Sequence, residues 1–141
     1  MKRFLRVVCL LVAFATLTAL PAYAQEQSTR ASSYLSAYRA YCTKNSSTSI
    51  TVAFHVLGTS RMDEIGASKV KVQYSSDKVN WTTAKTFLKA DYPSMTDTDT
   101  GSHASTLTCT VPSGKYYRAY VEFYSAKGNG SGMQFYYTEI I

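Results

Sequence analysis

The chain holds little of what catalytic and metal-binding proteins are built from: two histidines, three cysteines, one tryptophan and three prolines in 141 residues. With only His55 and His103 available as neutral bases, few nucleophiles can be activated. Histidines and cysteines at zinc-ligand spacing do not occur. Acidic residues are also scarce, nine Asp and Glu against fifteen Lys and Arg. Part of that basic excess sits at the very start, where Lys2, Arg3 and Arg6 precede an apolar run from Val7 to Leu20, then Pro21 and Ala22-Tyr23-Ala24. This is the charged, apolar and small-residue order of a secretory signal peptide. The run falls short of the roughly 20 residues that a spanning helix needs, and no second one follows. Cleavage after Ala24 takes 24 of the 141 residues and leaves 117, and the formal charge drops from +6 to +3. Such a balance is too weak to read as nucleic-acid binding. The expectation is an exported protein with no membrane span after signal removal, acting as a monomer in the extracellular space.

What the remaining chain has in plenty is Ser, Thr and Tyr, a strand-forming composition. Residues 25–33 are polar and without period, a solvated leader. A domain is expected over 34–141. Ile50, Val52, Phe54 and Val56 alternate with Thr51, Ala53 and His55, the period of a half-buried strand. Lys69 to Tyr74 repeats the pattern and turns at Ser75 to Lys78 into a partner around Trp81 to Phe87. Further strands are expected within Tyr34 to Tyr41, from Ser105 to Val111, from Tyr116 to Tyr124 and from Met133 to Ile140. Arg61 to Gly66 reads as a helical turn in a loop, and Lys127 to Gly132 as a hairpin tip. Seven short strands without an amphipathic helix predict an all-β, antiparallel, seven-stranded β-sandwich. A core of this size folds without a metal or other cofactor.

Two sets of three segments each carry a family resemblance. Ser47 to Phe54 resembles the second strand of fibronectin type III domains, with Phe54 where that family usually has tryptophan. Val111 to Tyr117 resembles its tyrosine corner, with the proline one place early, and Tyr124 to Gly132 its last hairpin. Met62 to Ser68, Tyr92 to Met95 and the Tyr116 to Val121 strand are similar to a family of small secreted bacterial proteins whose domain has no assigned activity. These resemblances imply export and an immunoglobulin-like sandwich. They imply no chemistry.

Cys42 and Cys109 remain once Cys9 is lost with the signal, and an even pair in an exported chain invites a disulfide. Closing the 67-residue separation would stabilise by about 4 kcal/mol. In a fibronectin-type sheet, however, the first and fifth strands flank the second, nearly 10 Å apart, beyond the roughly 7 Å that a bridge tolerates. The pair bonds only if Cys42 lies past the end of its ladder.

Asp99-Thr100-Gly101 matches the aspartic-protease string but follows threonines and an acid, not the apolar strand that makes two carboxylates share a proton. Asp97 and Asp99 have calcium-like spacing, yet the third acid and bidentate Glu of such a loop are missing. A polar loop is the expectation. Asn45, Asn80 and Asn129 begin glycosylation-like triplets and mark turns or surface.

The aromatic placement is the remaining signal. If Tyr117, Ala119, Val121 and Phe123 are buried, then Tyr116, Arg118, Tyr120 and Tyr124 emerge on the opposite face, with Tyr136 as a neighbour on the last strand. Tyrosine offers a rigid apolar ring and a hydroxyl, which suits recognition. The expected function is a non-enzymatic binding module for an extracellular protein or glycan. The alternative is a small hydrolase using the acidic loop, which requires a pocket joining Asp97 or Asp99 to His103.

Overall fold

Alternating rows become strands throughout the computed structural model, which describes residues 33–141. The expected signal peptide and most of the leader lie outside the described residues. Six strands follow in order: β1 (Leu35–Ser46), β2 (Ser49–Ser75), β3 (Thr82–Leu88), β4 (Thr96–Thr110), β5 (Tyr116–Lys127) and β6 (Gly130–Tyr137), with one 3-10 turn at Pro93–Met95 before β4. All pairings are antiparallel.

The organising element is β2, 27 residues long. Its first half lies between β1 and β4, with Val52 opposite both Cys42 and Leu107. Its second half lies between β3 and β5, with Val70 opposite both Phe87 and Val121, and β6 extends the sheet beyond β5. The expected helical turn at Arg61 to Gly66 is not formed, because β2 runs straight through it. Met62 and Ile65 are fully buried there and pair with Thr100 and Asp97 of β4. That continuity gives six strands where seven were expected. The expected polar loop around Asp97 to His103 is likewise the first part of β4, since its threonines and serines suit a strand with one wet face.

The sheet curls on itself around one core. Phe54 from the first half of β2 lies with its ring 6.1 Å from Phe123 of β5, and Tyr38 of β1 lies 5.2 Å from the same ring. The inward row of β5, Tyr117, Ala119, Val121 and Phe123, is fully buried, as its period requires. Burying side chains of this size stabilises by roughly 1.5–3 kcal/mol each. At the corner before β5, the Tyr117 hydroxyl donates to the Pro112 carbonyl, five positions earlier in the chain. Gly66 is required where β2 passes the 3-10 turn, because a Cβ there would stand 2.1 Å from the Met95 carbonyl oxygen.

The disulfide expectation is corrected. Cys42 and Cys109 are both free, and β2 runs between them, with Cys42 opposite Val52 and Cys109 opposite Ile50. Cys42 lies within its ladder, so the one arrangement that allowed a bridge does not arise. Burial, and then the neighbouring Cys109, push the Cys42 thiol up to about 11.

Candidate functional site

The curled sheet has two outer faces, and they differ in chemistry. Around the first half of β2 most outward residues are small or polar, with Thr43 opposite Thr51, Thr51 opposite Thr108, and Ala53 opposite Thr106, and the exposed apolar side chains there are Tyr41 and Leu57. The Thr51 and Thr108 hydroxyls lie 2.7 Å apart. Around the second half, the outward rows are Lys69, Lys71 and Gln73 on β2, then Tyr116, Arg118, Tyr120, Glu122 and Tyr124 on β5. Met133, Phe135 and Tyr137 complete them on β6.

On this second face, rings and cations form a connected series. The Arg118 guanidinium carbon is 4.2 Å from the Trp81 ring centroid and 4.5 Å from that of Tyr137, and its Nε donates to Gln73 Oε1 at 2.9 Å. Tyr137 lies 5.1 Å from Tyr120, which stacks on Phe135 at 5.9 Å and 17°. Lys71 sits 5.9 Å above Tyr120, Lys78 4.3 Å above Tyr116, and Lys89 4.0 Å above Tyr124. Each such cation gains from the ring quadrupole. Burial lowers the Arg118 pKa. Burial, followed by the Glu122 carboxylate, pushes the Tyr120 phenol up to about 12.

Charge on this face is unevenly matched. Glu122 takes the Ser68 hydroxyl at 2.6 Å and Lys69 at 3.4 Å, and Glu64 takes Lys89 at 2.9 Å. Among the described residues no ion pair engages Lys71, Lys78 or Arg118. The face therefore presents positive charge beside exposed apolar surface, with Phe135 56% and Met133 46% exposed.

A short turn positions Trp81. Asp77 accepts the backbone N–H groups of Val79 and Asn80 and the Ser75 hydroxyl, which holds its carboxyl well below the usual carboxylate range. Lys78 adopts φ 63° inside the turn, and its carbonyl accepts the Trp81 indole N–H at 3.1 Å. The ring is thus fixed beside Arg118.

Of the expected site residues, Tyr116, Arg118, Tyr120 and Tyr124 share this face. Tyr136 does not. It pairs with Val121, faces the core and meets Tyr38 edge-on at 6.4 Å. Its neighbours Phe135 and Tyr137 take the outward place, and sequence reasoning missed them together with Met133 and Trp81. The signal was a one-residue register choice in Met133 to Tyr137, where either row is apolar enough to be buried.

The acidic residues are not assembled. Asp99 pairs with Arg61, whose Nη2 is 2.6 Å away, Asp97 accepts the Thr98 N–H, and His103 Nε2 lies 2.9 Å from the Ser94 carbonyl. A hollow lined by Glu64, Lys89, Pro93, Asp97 and Thr98 includes neither Asp99 nor His103. Among the described residues no three His, Cys, Asp or Glu side chains converge as a metal site, and no helix is long and apolar enough to cross a membrane.

No family model matches the chain, and no curated protein matches it. Among solved structures it is similar to Spo0M, the sporulation control protein from Bacillus subtilis, at 11% identity and a TM-score of 0.42, over 72% of this chain and 47% of that one. The chain thus spans less than half the length of that protein.

Proposed function

We propose that the protein is a secreted, non-enzymatic binding module that holds an extracellular protein or glycan on the outer face of β2, β5 and β6. The observation that carries this reading is the asymmetry of the two outer faces: one is hydroxyl-rich with the exposed ring of Tyr41, whereas the other sets Trp81 and Tyr137 on Arg118, Phe135 and Lys71 on Tyr120, and Lys78 on Tyr116. Rings held by cations lose little freedom on binding, which lowers the cost of association. Aromatic residues and arginine also dominate interface energetics. Export rests on the charged, apolar and small-residue order of residues 1–24.

The scaffold is read here as a fibronectin type III-like sandwich in which β2 supplies two of seven strands. Support comes from β1 and β4 flanking its first half, β3 and β5 flanking its second, and from the Tyr117 hydroxyl bonded back to Pro112. A hydrolase would need Asp97 or Asp99 joined to His103, and the three point to separate partners.

The test combines a glycan array with capture of extracellular proteins by the purified protein, repeated with Arg118→Ala and Phe135→Ser. Binding that both substitutions weaken supports the face. Binding that neither changes, or substrate turnover that depends on Asp99 or His103, overturns it.

A further inference from the structure

The two rows of β6 are placed opposite to what burial of the more apolar row predicts. Gln134, Tyr136 and Thr138 face inward, while Met133, Phe135 and Tyr137 face out, and Tyr137 is 40% exposed. β6 also ends the run β2, β5, β6, so among the described residues no strand pairs with its far side, which is an open edge of the sheet. One hydrogen bond sets the parity of that edge. The Thr138 N–H donates to the Ala119 carbonyl at 2.9 Å, and hydrogen-bonded and non-hydrogen-bonded pairs alternate along an antiparallel ladder. Residues 134, 136 and 138 therefore turn their backbone groups toward β5. Met133, Phe135 and Tyr137 turn theirs away, so the same three residues carry the exposed side chains and the backbone donors and acceptors that no other described strand engages.

Open edges usually carry devices that prevent pairing with another chain: charges, prolines, bulges or shortness. The other edges of this sheet have them. β1 carries Arg39 and Lys44 and two register shifts. β3 is only seven residues long and carries Lys85. β4 carries Asp97 and Asp99, with Asp99 at φ 54°, and its ladder breaks between Leu57 and Met62. From Gly130 to Tyr137, β6 has no charge, no proline and no register shift.

We propose that β6 pairs antiparallel with β6 of a second copy, about a two-fold axis at Phe135. In that register Phe135 lies opposite Phe135 of the second copy, and Met133 opposite Tyr137. Every pair then joins residues whose N–H and C=O groups point outward, so each exchanges two backbone hydrogen bonds. The side chains of all three pairs fall on one face, where directly opposed residues stand about 5 Å apart and stabilise each other. About the two-fold axis Phe135 meets its own kind and the Met133–Tyr137 pair occurs twice, and an uncharged strand accepts its own copy without like-charge repulsion. That self-complementarity is why a second copy, rather than an unrelated strand, is the occupant. The pairing is edge to edge, so the aromatic faces of both copies stay open and continuous. It does not depend on whether any ligand binds there.

Sedimentation velocity on the purified protein from roughly 1 to 200 µM tests the pairing, together with amide hydrogen exchange at both ends of that range. The expected result is a monomer–dimer equilibrium in which the amides of Met133, Phe135 and Tyr137 exchange more slowly as concentration rises. Met133→Pro removes a donor that points away from β5, a position where an edge strand accepts proline, and Phe135→Lys places like charges opposite each other. Each is expected to weaken the dimer by about tenfold or more. If Met133→Pro fails to fold by near-ultraviolet circular dichroism, the lysine variant and the wild-type exchange data decide. A monomer throughout the range overturns the proposal, as does a dimer indifferent to both substitutions. So does protection of the three amides in a monomer, which would mean that the chain covers its own edge.

Discussion

The Arg118 guanidinium lies between two rings, 4.2 Å from Trp81 and 4.5 Å from Tyr137. One of these rings comes from the turn before β3 and the other from the last strand. Arg118 therefore ties together three parts of the chain that the β5 ladder alone does not join, and it does so on the outside of the sheet.

This contact has an energetic signature. The Trp81→Ala and Arg118→Ala substitutions should each destabilise the fold, and their double-mutant cycle in urea should give a coupling of about 0.5–1 kcal/mol. Additive effects would mean that the ring and the guanidinium are merely adjacent.

The Tyr117 hydroxyl should be separable from its ring. Tyr117→Phe leaves the buried ring in place and removes the donor to Pro112, so it should cost about 1 kcal/mol in denaturant unfolding. A variant as stable as the parent would show that the corner is held by packing alone.

Legibility in the sequence followed how firmly each row was tied to one period. Ile50 to Val56 and Tyr117 to Phe123 alternate cleanly, and both rows lie buried where the alternation puts them. The stretch from Gly58 to Gly66 lost its period because β2 carries extra residues opposite β4 between Leu57 and Met62, so Met62 and Ile65 are buried out of step and the segment resembled a loop. β6 failed differently. Met133, Phe135 and Tyr137 look like a core row, yet the inward place goes to the row of Tyr136, whose ring fits against Tyr38. Trp81 was recognisable as an aromatic beside a turn, but its partner Arg118 is 37 residues away in sequence and becomes a neighbour only through the pairing of β2 with β5.

The cysteines give a chemical test. With β2 between them and the Cys42 thiol pushed up to about 11, little thiolate exists at neutral pH. In protein prepared without residues 1–24, and so without Cys9, two thiols should titrate in denaturant, the number should be the same before and after reduction, and alkylation of the native protein should be slow at pH 7. A mass two hydrogen atoms lighter would mean a bridge that the fold does not allow.

Acid should loosen the turn that carries Trp81. Asp77 is held ionised by the Asn80 and Val79 amides, so its folded pKa lies below the unfolded value. Its contribution is fully present above the ordinary carboxylate range and is lost as pH falls through and below that range. The stability advantage of the parent over Asp77→Ala should therefore shrink as pH is lowered below about 4. A gap that stays constant down to about pH 2 would show that the charge on Asp77 does not hold the turn.

The proposed binding role rests on the outer face of β2, β5 and β6. Its most direct test is the affinity of the purified protein for a partner recovered by array or capture, measured for the parent and for Arg118→Ala with Phe135→Ser. Interface aromatics and arginines contribute on the order of 2 kcal/mol each, so affinity should fall by roughly a thousandfold for the two changes together, while Thr51→Ala and Thr108→Ala on the opposite face leave it unchanged. The reverse pattern, loss with the threonine substitutions and none with Arg118 and Phe135, would contradict it.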